Sequence, residues 1–240
     1  MGALPCVTLL LIYQHAAFGS AFRPGYSYYP AGAFPWMKHG YMGLTYPRID
    51  VALKLLFNCR RGLLFTGPVV LAAPFGLRWL WKQTATRAAA AALIAIAAYY
   101  FLFNASFPGV PGWSYGPRYM SASLPLLCMG LAPIWDSAPH YLRNLAAALA
   151  VCGGLFTFMA VSTTPQPPDG FACPMFQFIA PSFLAGELSL NAGSMLTSSD
   201  AGAFNLGEVM GLHGLASLLP LVAFWTATAF LWRRMNRHAG

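Results

Sequence analysis

The chain has 240 residues, of which 58% are hydrophobic and only 8% charged, and its mean hydropathy is +0.55. Soluble domains carry about 25% charged residues, so an ordinary soluble domain is excluded and an all-α integral membrane protein is expected. The net charge of +8 comes from scattered residues with no basic arm or RNA-binding signature, which excludes nucleic acid as a partner.

In chain order, residues 3–13 are too short to span a bilayer unless the run continues to residue 18. They lack the basic start of a signal peptide and read as a stubby span or as a helix whose start is missing. Residues 19–61 form a long outer loop rich in Tyr, Pro and Gly. Within it, residues 49–57 repeat apolar side chains at helical spacing and predict an amphipathic helix lying on the bilayer. Asp50 and Lys54, four apart, would pair on its polar face.

Residues 62–80 are apolar and contain Pro68 and Pro74, so a kinked span is expected. A basic, Trp-flanked connection at 78–87 leads to an Ala-rich span at 88–103. Asn104-Ala-Ser106 is an N-glycosylation triplet. Spans at 119–135 and 145–161 follow, the second carrying Gly153 and Gly154. Residues 162–210 make the second outer loop, which opens on a stiff turn, Pro165-Gln-Pro-Pro168. Asn205 and Glu208 stand at capping-box spacing. The last span, 211–232, is closed by Arg233, Arg234 and Arg237.

The whole chain, 1–240, thus reads as a single polytopic membrane domain of about six transmembrane helices. Basic residues do not orient it by number. With both termini cytoplasmic, seven lie inside (Arg78, Lys82, Arg87, Arg143, Arg233, Arg234, Arg237) and seven outside (Arg23, Lys38, Arg48, Lys54, Arg60, Arg61, Arg118). The inside set hugs the span ends in short stretches, and that favours cytoplasmic termini.

Residues 112–119, Gly-Trp-Ser-Tyr-Gly-Pro-Arg-Tyr, place Arg118 between a rigid turn and the mouth of a span. A guanidinium there suits a phosphate or carboxylate; a snorkelling arginine in an aromatic belt has the same composition. If the outer ends at residues 60–61 and 118 are neighbours, three cations converge at headgroup depth, a site for a lipid phosphate. The five cysteines, Cys6, Cys59, Cys128, Cys152 and Cys173, lack metal-ligand spacing. Cys59 and Cys173 fall in loops on one face, where a disulfide is one option. No metal site, Walker motif or dinucleotide fingerprint is found, and no cofactor is expected.

Three segments resemble the C-terminal half of bacterial GT-C-type, protein-O-mannosyltransferase-like membrane glycosyltransferases. They are residues 18–28 running on to 39–47, residues 60–68, and residues 112–119 with the following Leu124-Pro-Leu-Leu127. The resemblance implies a GT-C-like bundle in a bacterial inner membrane, incomplete at its N-terminus. It implies transfer of a sugar from a polyprenyl-phosphate donor at the outer leaflet. Arg118 and Arg61 become donor-phosphate candidates, and Arg60, Tyr115, Tyr119, Tyr28 and His39 further substrate-binding candidates. The acidic catalytic residue of such enzymes lies in an N-terminal loop that has no counterpart here. Asp50, Glu187 and Glu208 do not match it, and the base is unassigned. The alternative is a non-catalytic membrane protein: a pseudo-enzyme, a fragment, or a half that requires an N-terminal partner subunit. Membrane lipids are partners in either case.

Overall fold

Proline placement decides which apolar stretches become continuous helices. The computed structural model describes residues 4–22, 25–28, 35–38, 40–41, 43–110, 112, 114–190 and 204–238. Among them the regular structure is helical, apart from one isolated bridge between Tyr41 and Leu44. Three helices are long and apolar enough to cross a membrane: Arg87–Ala105, His140–Thr163 and Gly214–Met235. The first two contain no proline, and Pro220 sits in the first turn of the α-helical part of the third, where its missing N–H costs least.

The expected spans at 62–80 and 119–135 are segmented instead. The first is α3 (Leu63–Thr66), a 3-10 stretch Pro68–Ala72 and α4 (Ala73–Lys82). The second is a 3-10 stretch Arg118–Ser123 followed by α6 (Leu124–Met129) and α7 (Ala132–Ser137). Pro68, Pro74, Pro125 and Pro133 each open one of these pieces. A proline interrupts the preceding ladder and starts the next helix well. The expectation of six spans therefore meets three continuous membrane-length helices and two broken segments. The N-terminal helix α1 (Leu4–Phe18) has 15 residues, none of them buried.

The centre of the bundle is a hairpin. α4 and α5 (Arg87–Ala105) are joined by residues 83–86, where Thr86 Oγ1 donates to the Leu80 carbonyl at 2.8 Å. A Cβ at Gly76 of α4 would overlap the Gly130 carbonyl, so the approach of α4 to the junction between α6 and α7 needs glycine. The 3-10 stretch packs on α8 (His140–Thr163), where a Cβ on Gly153 would lie 2.9 Å from Pro68 Cδ. α9 (Ala180–Ala185) follows a π-helical turn, Met175–Ile179, and packs back on α8.

The amphipathic helix forms where expected, as α2 (Ile49–Phe57). Its buried face meets protein: Val51 and Leu55 are sealed against Ala105 at the end of α5. Ile49, Leu53 and Phe57 stay exposed. Asp50 pairs with Lys54 at 3.9 Å, and more closely with Arg48 through two bonds of 3.0 Å. Asn104 of the glycosylation triplet is buried, and its Nδ2 donates to the Tyr100 carbonyl at 2.7 Å. A glycan has no access to that nitrogen. The capping box forms at α10 (Leu206–Val209): the Asn205 side chain accepts from the Glu208 amide, and the Glu208 carboxylate accepts from the Asn205 amide. The last helix, α11 (Leu219–His238), continues the 3-10 stretch Gly214–Leu218 and leaves its long apolar side chains exposed.

Candidate functional site

At the end of the bundle where α5 finishes, three loops are tied together. Asn58 sets the first tie: its Oδ1 accepts from the amides of Arg60 at 2.7 Å and Arg61 at 3.2 Å, a side-chain turn typical of Asn. Cys59 is bonded to Cys173, with Cα atoms 5.1 Å apart, within the ordinary disulfide range. The Gly116 amide donates to the Arg60 carbonyl at 2.9 Å, and the Tyr115 amide to the Pro165 carbonyl at 2.8 Å. Gly116 turns here with φ +83°, a conformation that a side chain would strain.

The two adjacent arginines have different tasks. The Arg60 side chain is 12% exposed and sits inside the loop that follows α8. Its Nη2 donates to the carbonyls of Pro167 at 2.7 Å and Pro168 at 2.8 Å, and its Nη1 to that of Asp169 at 3.1 Å. Nη2 also lies 2.9 Å from Asp169 Oδ1. Consecutive prolines cannot donate to one another, so their carbonyls are left for an outside donor. Arg60 fills that need: both of its terminal nitrogens are occupied within the fold, while its buried Nε–H meets no acceptor among the described residues.

Arg61 is under-partnered. Its Nη1 donates to the Val110 carbonyl at 2.8 Å, while its buried Nε–H meets no acceptor among the described residues. Burial pulls its guanidinium below the ordinary arginine value; Arg60 adds to that effect and Asp169 opposes it. A buried donor without a partner costs about 1–3 kcal/mol, and an anion would relieve it. Arg61 lines a cavity of about 490 Å³ together with Trp36, Phe107, Gly112, Tyr119 and Asp169. That size suits a small ligand or a headgroup.

The other candidates separate around this cavity. Tyr119 is in its wall. Arg118 is exposed at the edge, its Cζ 5.7 Å from the Tyr119 ring centroid, and it is not in the lining. The three cationic positions do come together as loops, but one guanidinium, that of Arg61, faces the cavity. Tyr115 turns inward onto the buried cluster of Ala160, Met175 and Ile179. Its hydroxyl is buried without a partner among the described residues, and burial pushes its pKa up. It anchors the motif loop to α8. Tyr28 stacks on Phe18 at 5.2 Å and donates to the Phe18 carbonyl at 2.7 Å, beside the end of α1. His39, Tyr29 and Trp113 lie outside the described residues.

Trp36 and Asp169 are among the lining residues that no sequence signal singles out. Trp36 was one aromatic among many in the first loop. Asp169, with its side chain 74% exposed, is the carboxylate in the described lining. A firm Cys59–Cys173 pairing would have exposed it, because that bond brings residues 60–61 beside 167–172. No family model, curated protein or solved structure matches the chain.

Proposed function

We propose that the Arg61 cavity holds the phosphate of a polyprenyl-phosphate-linked sugar, and that the chain is part of a membrane glycosyltransferase acting at an outer leaflet. The observation that carries this reading is the half-buried Arg61 guanidinium, short of acceptors, facing a cavity walled by Trp36 and Tyr119. Aromatic faces accept sugar rings and lipid stems, and a carboxylate such as Asp169 accepts from hydroxyls. As the lipid phosphate departs it gathers negative charge, which a fixed guanidinium stabilises.

In this reading about six segments cross a bacterial inner membrane, with the broken stretches at 63–82 and 118–137 counted as spans. Disulfides persist in oxidising compartments, so the Cys59–Cys173 end faces outward. The 19-residue helix α5, about 28 Å long, then carries Arg87 to the cytoplasmic side together with both termini.

A second reading, a non-catalytic half that works with a partner subunit, has one observation in its favour. The cavity's carboxylate, Asp169, is already ion-paired with Arg60, which weakens it as a base. Co-purification with a separate N-terminal half distinguishes this reading from the first.

The test is native mass spectrometry of the full chain with a polyprenyl phosphate. Wild type and Arg118→Ala are expected to retain the lipid, and Arg61→Ala to lose roughly tenfold or more in affinity, the range for a charge-assisted contact. Equal retention by wild type and Arg61→Ala would sink the assignment.

A further inference from the structure

The far end of the hairpin carries cations that the glycosyltransferase reading does not use. Alanines at 88–92, 95, 97 and 98 keep much of α5 thin. Leu77, Arg78 and Trp81 of α4 and Ile94, Ala97 and Ala98 of α5 line an apolar groove of about 660 Å³, which Leu63, Val70, Met120 and Leu127 from neighbouring segments help to wall. The groove runs from Leu63 and Met120 near the disulfide end to Arg78 and Trp81 at the other. Arg78 is the charged side chain in its lining, and Lys82 follows one turn later on α4. No carboxylate lies within ion-pairing distance of either among the described residues, whose ion pairs all fall at the disulfide end.

The neighbouring charges do not neutralise this pair. Arg87, across the connection, adds a third cation and donates from Nε to the Trp81 carbonyl at 3.1 Å. Arg143, at the start of α8, adds a fourth. Asp136 is the acidic residue of α7, which packs on α4, and it forms no ion pair among the described residues. Arg78 and Lys82 are like charges at i and i+4, an arrangement that repels unless an anion sits between them.

We propose that this end is a binding site for an anionic glycerophospholipid, with one acyl chain in the α4–α5 groove and the phosphate between Arg78 and Lys82. Basic pockets between membrane helices take such headgroups, and Trp81 supplies an indole ring of the kind that favours the headgroup boundary. The volume lies within the range of about 300–1,000 Å³ for sites that enclose a lipid-sized ligand. This site is separate from the Arg61 cavity and stands whether or not that cavity binds a donor.

The experiment is native mass spectrometry of the full chain released from nanodiscs containing equal phosphatidylglycerol and phosphatidylcholine. Wild type is expected to retain phosphatidylglycerol in preference by roughly thirtyfold, the effect of two cations near a membrane surface. The double variant Arg78→Gln/Lys82→Gln is expected to lose the preference while keeping its circular dichroism and melting profile. Ala97→Phe fills the groove without touching charge, and it is expected to lose the retained lipid. Equal retention of both lipids by wild type overturns the proposal, as does a preference that survives the double variant. Loss of phosphatidylglycerol in Arg61→Ala also overturns it, because the lipid would then sit at the other end.

Discussion

The two ends of the bundle carry similar numbers of cations and use them differently. At the disulfide end, Arg60 is enclosed by loop carbonyls and Asp169, Arg48 is forked onto Asp50, and Arg61 reaches Val110. At the opposite end, Arg78 and Lys82 have no carboxylate in reach among the described residues, and the chain reverses in four residues, 83–86. The long loops explain the difference. Residues 58–62, 114–117 and 164–173 have little regular structure to satisfy their backbone, so side chains must do it. At the short helical hairpin only the Thr86 and Arg87 side chains are drawn onto the carbonyls of Leu80 and Trp81 among the described residues 78–87, which leaves Arg78 and Lys82 for a ligand or for water.

Removing the central brace tests this contrast most severely. Arg60→Ala strips donors from the carbonyls of Pro167, Pro168 and Asp169 and leaves Asp169 without its cation. A loss of about 3–5 kcal/mol is expected, because several charge-assisted bonds to loop carbonyls go at once, each worth about 1.5–3 kcal/mol and not fully additive. Thermal unfolding in detergent measures it, and limited proteolysis should show new cleavage within residues 164–173. An unchanged melting profile would mean that the loop holds itself.

The disulfide is the second brace and should count for somewhat less. It closes a sequence separation of 114 residues, and a native crosslink contributes about 2–4 kcal/mol. Cys59→Ser/Cys173→Ser is expected to lower stability by that amount. It should also weaken ligand retention at Arg61, because Asp169 in the cavity wall belongs to the tethered loop. If stability falls and retention does not, the wall is positioned by Arg60 alone.

The disulfide end was also the harder one to read from sequence. Helices with an intact ladder were legible almost to the residue: 49–57 is α2, and 88–103 lies within α5. So was the Asn205–Glu208 capping box, because its signal is local. In the proline-bearing stretches the ladder is not continuous: helix starts at Pro68, Pro74, Pro125 and Pro133 divide them into pieces whose bounds apolar composition does not mark. Arg60 and Arg61 are neighbours of one residue type, and nothing local separates a brace from a ligand contact. The distinction depends on a partner more than 100 residues away. Asp169 was passed over for the same reason. A carboxylate after two prolines reads as a loop residue until the disulfide places it beside the arginines.

The smallest expected effect lies at the other end, and its sign is informative. In lipid-free detergent, Arg78→Gln/Lys82→Gln removes an i,i+4 repulsion of about 0.2–0.5 kcal/mol. It also removes two cations from the last turns of α4, where the helix dipole favours them by about 0.3–1 kcal/mol at low ionic strength. These terms nearly cancel, so stability should change by no more than about 0.5 kcal/mol, as for surface positions generally. Added phosphatidylglycerol changes the balance. A ligand that binds the folded state raises stability with its concentration, so wild type should melt progressively higher as lipid is titrated while the double variant stays flat. If both melt higher together, the cations of this end are only a solvated face. If wild type alone responds, the two ends differ in kind: one holds its own loops together, and the other is completed by the membrane.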